Sequence, residues 1–154
     1  MSTNDPVVAA WQTHGRLQIE YVQAIPAAAL AAKLGGKARS VGAILAHLHH
    51  NRLAWLEPAA PDLRAGLVKV DKAGTTDTAV LQFALQSSAE AITTLLVRSL
   101  AAGGKVKGFG GQAAAFFGYL VAHESYHHGE IGLILGQAGF ALDNQMAYGL
   151  WNWK

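Results

Sequence analysis

Gln112–Gln137 reads QAAAFFGYLVAHESYHHGEIGLILGQ, and its periodicity decides what kind of fold surrounds it. On a helical wheel at about 100° per residue, Phe116, Phe117, His123, Glu124, His127, Ile131, Ile134 and Leu135 fall within about 60° of Leu120. Two histidines and a glutamate therefore lie in the middle of an apolar stripe. Such a stripe faces a core, where unpaired ionisable groups are costly. A metal ion would compensate them. His123 and His127 leave the same side of the helix one turn apart, a two-point clamp on one cation. The competing reading is a pair of core histidines hydrogen-bonded to neighbours. Glu124 reads either as a base or, preferentially, as a partner that orients the imidazoles.

The opposite face of this helix carries Gly118, Ala122, Ser125, Gly129, Gly132 and Gly136. Glycine weakens a helix by about 1 kcal/mol relative to alanine, so small residues at this spacing predict a close approach. Either a two-fold dimer contact or another helix of the same chain is expected there.

Asp5 and Pro6 read as an N-cap and a first-turn proline, opening a helix that runs to about Ala24. Its face of Val7, Trp11, His14, Gln18, Tyr21 and Ile25 is half polar and suits the lining of a pocket. His14 is placed at the surface or a pocket edge. A connector, PAAALAAKLGG, stops at Gly35 and Gly36. Ser40 caps the second helix, SVGAILAHLHHNRLAWLE, which is expected to end before Pro58. Ile44, Leu48 and Trp55 mark its stripe; His47 borders that stripe, His50 lies one turn on, and His49 is expected in solvent. Pro58–Thr76 is a long irregular connection, of a length that is often functional or mobile. The third helix runs from Thr76 or Asp77 to about Ala101, and Gly103 and Gly104 stop it. The tail ALDNQMAYGLWNWK is predicted to dock, with Trp151 and Trp153 packed rather than walling a pocket. The expected fold is all-α: an antiparallel four-helix bundle forming one domain over residues 1–154, with a long connection between the second and third helices.

Composition narrows the function. Charged residues make up 14% of the 154 and the net charge is +2, so another subunit is expected to cover part of the surface. No basic stripe with interleaved aromatics offers a nucleic-acid surface. The absence of cysteine excludes disulfides, thiolate ligands and a cysteine nucleophile. MSTNDP lacks a signal-peptide pattern and no uninterrupted apolar run reaches the length of a membrane span, so a cytoplasmic protein is expected.

A catalytic metal commonly takes three protein ligands and keeps a further position open. His47, bordering a buried stripe on a neighbouring helix, is the expected third ligand, with His50 in reserve. Histidine nitrogen suits zinc, nickel, copper and iron alike. SVGAILAHLHHNRLAWL, the long gap, AFFGYLVAHESYHHGEIGLILGQAGF and the closing YGLWNW together resemble the DinB/YfiT-like metal-binding four-helix-bundle superfamily over nearly the whole chain. In that family one histidine comes from the second helix and two from the last, at H-x-x-x-H; these map onto His47, His123 and His127. The family often places arginine, glycine and glutamine after the last ligand, where this chain has His128, Gly129 and Glu130. The resemblance implies a divalent ion (zinc or nickel foremost) in an open bundle pocket, commonly in a homodimer. It further implies thiol S-transfer or isomerisation with a low-molecular-weight thiol, or hydrolysis. Two other readings stand beside it. One is a non-catalytic metal-binding or stress-response protein. The other takes His123-Glu124-Ser125-Tyr126-His127 as the H-E-x-x-H of zinc proteases, although the extended pattern would need glycine and histidine where Glu130 and Leu133 stand.

Overall fold

Short polar side chains set the starts of three long helices. Asp5 accepts a hydrogen bond from Val7 N and precedes Pro6, which opens α1 (Pro6–Ala24). Ser40 Oγ accepts from Ala43 N at the start of α2 (Val41–Ala59). After the single turn α3 (Pro61–Arg64), Asp77 accepts from Ala79 N and Val80 N and opens α4 (Thr78–Ala101). Each such cap is worth about 1 kcal/mol. α5 (Ala113–Gln137) begins without a side-chain cap, its first turn tied to the preceding loop by Ala113 N donating to Gly104 O. It ends where Gly139 takes φ +80° and Phe140 N reaches back to Leu135 O at 2.8 Å, a left-handed closure open to glycine at little cost. α6 (Asn144–Gly149) follows. The computed structural model describes residues 5–154, and among these there is no strand, only an isolated bridge between Lys105 and Gln112.

The core comes in two apolar clusters. One contains Tyr21, Val22, Leu45, Leu48, Leu81, Leu85, Ile131 and Ile134. The other contains Val8, Trp11, Leu56, Ile92, Leu96, Phe116 and Leu120. Along α1 and α5 the chain passes from the second cluster to the first; along α2 and α4 it passes from the first to the second. Thus α1–α2 and α4–α5 are antiparallel pairs, and the long connection returns the chain so that α4 starts beside the start of α2. Between the clusters each long helix contributes a buried polar side chain: His14 and Gln18 from α1, Arg52 from α2, Ser88 from α4 and Glu124 from α5.

Several local expectations are corrected. α2 continues through Pro58 to Ala59; proline this near a helix end sacrifices little hydrogen bonding, and Ala60 N still closes the turn on Leu56 O at 2.8 Å. The 60–77 connection is not free. It lies over α2, where a Cβ on Gly42 would sit 1.7 Å from Thr75 O, so only glycine admits that approach. His49 is 1% exposed rather than solvated, because the same connection covers it: its Nε2 donates to Val68 O at 2.9 Å, while its Nδ1 is buried without a partner. His50 Nε2 accepts from Val70 N at 3.0 Å. The two histidines pin the connection to α2. The tail does dock, through Arg16 Nη2 donating to Asn152 O, yet Trp151 and Trp153 stay 73% and 43% exposed, so they are not packed away. On α5, a Cβ at Gly118, Gly129, Gly132 or Gly136 would meet nothing within 4 Å; among the described residues no helix is pressed on that face. Finally, α4 is long and apolar enough, by length and composition, to cross a membrane, with a mean hydropathy of 1.3. Its Leu81, Leu85, Ile92 and Leu96 fill the bundle's core clusters.

Candidate metal centre

His47 projects from α2 toward His123 and His127 on α5. The i, i+4 spacing stacks the two α5 imidazoles along one face, and the packing of α2 on α5 brings the third against them. One nitrogen from each ring lies within 4.8 Å of the others. Ring centroids are 5.3 Å apart for His47 and His123, 4.9 Å for His47 and His127, and 4.8 Å for His123 and His127. His127 is buried; His47 and His123 are half-buried. A divalent ion bound at about 2.1 Å from each imidazole would bring these nitrogens to roughly 3–4 Å from one another, so small side-chain adjustments close the set.

The protonation states suit a cation. Burial pulls the His47 pKa from 6.5 down to about 4, helped by the charge of Arg39 and by His127, His123 and His50. Burial also lowers His123, with His127 and Arg39 acting in the same sense and Glu124 against it. Neutral imidazoles keep a lone pair for a metal. His127 Nδ1 donates to Glu130 Oε2 at 2.8 Å, which leaves Nε2 as the ligand atom. A carboxylate behind a histidine in this way fixes the ring and raises its basicity. The carboxylate that orients an imidazole of the trio is thus Glu130, where the resemblance led one to expect glutamine, and not Glu124. On the other α5 histidine, the Asn51 amide lies 3.4 Å from His123 Nδ1, and Tyr119 Oη lies 3.3 Å from the same amide. A metal on His123 Nε2 requires Asn51 to present its oxygen to Nδ1–H, and the two ends of an amide are interchangeable in such a position. His50, the reserve ligand, is committed to Val70 N and stays out of the group.

Glu124 belongs to the buried polar layer. Arg52 grips it with Nε on Oε1 and Nη2 on Oε2, both at 2.7 Å. His14 Nε2 and Gln18 Nε2 also reach Oε2, at 2.7 and 3.0 Å. The remaining Arg52 donors go to Leu85 O, Ser88 Oγ and Gln18 Oε1, so all its N–H groups are used, and its guanidinium lies 5.0 Å from the Trp11 ring. Burial alone would push the Glu124 carboxyl up; the Arg52 charge and the hydrogen bonds from His14 and Arg52 outweigh it and hold the group well below the usual carboxylate range. None of the hydrogen bonds of Glu124 goes to His47, His123 or His127. His14, expected at the surface or a pocket edge, is 5% exposed; it lines a pocket beside the C-terminal segment and is also part of this network. Its role and that of Arg52 were hidden from the sequence, because their partner Glu124 lies 110 and 72 residues away.

Two outcomes follow. Removing the Glu130 carboxylate with Glu130→Ala should weaken metal binding by about 10–100-fold, read by competition with a chelator; an unchanged affinity would remove Glu130 from the site. The metal-free protein should also lose stability as pH falls. The unfolded chain takes protons on histidine near 6.5, whereas burial holds folded His47 and His128 at about 4. Both groups therefore contribute stability above about pH 6.5 that is lost as pH falls toward 4. The melting temperature should decline across that window, and a flat profile there would contradict the burial of these imidazoles.

The DinB family model matches residues 1–153 of the chain. No curated protein and no solved structure matches it.

Proposed function

The chain belongs to the DinB family, and from that premise we propose that it is a divalent-metal-dependent enzyme that activates a water or a low-molecular-weight thiol for attack on a small molecule. The observation that carries this reading is the convergence of His47, His123 and His127 with their ligand nitrogens within 4.8 Å of one another. A divalent ion, zinc or nickel foremost, supplies Lewis acidity that lowers the pKa of water or thiol placed on it. The chain's own residues do the rest. Glu130 holds the proton on His127 Nδ1. Tyr119 lies over His123 with ring centroids 6.0 Å apart and continues into Trp55 and Phe109 at 5.5 and 5.9 Å, an aromatic wall for an apolar substrate group. Exposed Arg39, whose charge is felt at His47 and His123, offers an anionic substrate group a cation near the trio.

The H-E-x-x-H protease reading is disfavoured by the lock on Glu124. A general base must be free to take a proton from the attacking group, and this carboxylate is occupied by Arg52, His14 and Gln18. We further propose that the chain forms a homodimer; a monomer by light scattering would exclude it. The functional test is a screen of the metal-loaded protein against esters, amides and thiol adducts, with and without added thiol. Turnover that disappears with the metal is expected. Full metal occupancy with no turnover would favour the non-catalytic metal-binding reading.

A further inference from the structure

A cavity lies between α1, α5 and the C-terminal segment. Its volume is about 480 Å³, and none of His47, His123 and His127 lines it. That size is within the range of small-molecule sites. Leu17, Leu135, Leu142 and Leu150 form its walls, and Trp151 and Trp153 stand at its rim. His14, Gln18, Tyr21 and His128 form a polar end. The lining contains no Asp, Glu, Lys or Arg.

The hydrogen bonds at the polar end determine what remains free there. The Glu124 carboxylate accepts from His14 Nε2, so in the Nε2–H tautomer of the ring Nδ1 is left as an acceptor, polarised by the carboxylate behind it. Gln18 is fully used: its amide nitrogen donates to Glu124 Oε2 and to His128 Nε2, and its oxygen accepts from Arg52. Because His128 Nε2 accepts, its Nδ1 carries the hydrogen and is left as a donor. Tyr21 Oη spends its hydrogen on the His128 carbonyl at 3.2 Å. An acceptor and a donor thus lie on two rings whose centroids are 6.1 Å apart and nearly parallel, with the Trp153 ring 6.2 Å from His14. The charges behind them, Arg52 and Glu124, compensate each other in a buried pair.

We propose that this cavity is a binding site, independent of the metal centre, for a neutral, flat aromatic molecule bearing a hydroxyl. The hydroxyl donates to His14 Nδ1 and accepts from His128 Nδ1–H. The ring lies among the leucines and against Trp153, covering tryptophan surface that is otherwise exposed. Neither a charged ligand nor a purely apolar one fits as well: the first finds no counter-charge in the lining, and the second leaves the free acceptor and donor unpaired.

The test uses the full chain and 2-naphthol as probe, by equilibrium dialysis. Saturable binding of one molecule per chain is expected, with the same affinity for metal-loaded protein, metal-stripped protein and the His123→Ala variant. The methyl ether, 2-methoxynaphthalene, should bind about tenfold more weakly, since it has lost the donated hydrogen bond. Ala147→Trp fills the cavity from an exposed lining position and should weaken 2-naphthol binding by at least about tenfold. Ser125→Tyr, from the opposite wall, should do the same should the first variant fail to fold. Absence of saturable binding overturns the proposal. So does binding that vanishes with the metal, which would place the probe at the three histidines, or binding indifferent to both filling variants. Dissociation of a dimer by either variant, without loss of probe binding, would show that a second copy occupies the cavity instead.

Discussion

Glu124→Ala is expected to cost about 3–5 kcal/mol of folding stability, because it leaves the Arg52 guanidinium buried without its counter-charge. Both side chains are fully buried and joined by two 2.7 Å contacts. Against a total stability of roughly 5–15 kcal/mol, that loss brings the protein close to unfolding; for a chain of this length the melting temperature should drop on the order of 10 °C. Arg52→Ala should be as damaging, since it strips Glu124 of its strongest partner and exposes Leu85 O and Gln18 Oε1 to an unfilled space. Replacing both residues by leucine removes the unpaired charge and should recover only part of the loss, because buried His14 Nε2 and Gln18 Oε1 still lose their partners. Denaturant unfolding of the three variants reads this directly. A mild effect of Glu124→Ala on stability, coupled to a large fall in turnover, would return Glu124 to the role of base.

The second large effect concerns the metal. His123→Ala and His127→Ala each remove one of three nitrogens, and neither vacancy has a substitute at hand. His50 is bonded to Val70 N, His49 faces Val68 O, and His128 faces Gln18. Either substitution should therefore abolish stoichiometric metal binding and any metal-dependent turnover, while leaving the Arg52–Glu124 layer and the fold intact. His50→Ala, by contrast, should keep the metal and loosen only the 60–77 connection.

Much of the architecture was legible because it rests on local chemistry. Asp5 with Pro6, Ser40 and Asp77 announce helix starts through bonds two or three residues long. The His123/His127 pair follows from helical spacing alone, and His47 from its position beside a buried stripe. What escaped depends on contacts between distant segments. His49 lies off the apolar stripe of its own helix, so a wheel places it in solvent; only the connection folding back over α2 buries it. For Arg52, nothing near it in sequence indicates the carboxylate it will meet, 72 residues away. Glu124 was correctly placed on a buried stripe in need of compensation. The compensation comes from Arg52 rather than from a metal, and proximity in sequence to His123 and His127 suggested the wrong partner. Trp151 and Trp153 look like packing residues by composition, yet their environment is set by how the tail crosses α1.

The central claim is that three imidazoles from α2 and α5 hold one divalent ion. It is tested most directly by elemental analysis of protein purified without a metal-chelating column, comparing the wild-type chain with His47→Ala. The account predicts close to one ion per wild-type chain and almost none in the variant, with both proteins folded. A folded wild-type chain that takes up no ion when offered zinc or nickel, or a variant that retains the full complement, would contradict it.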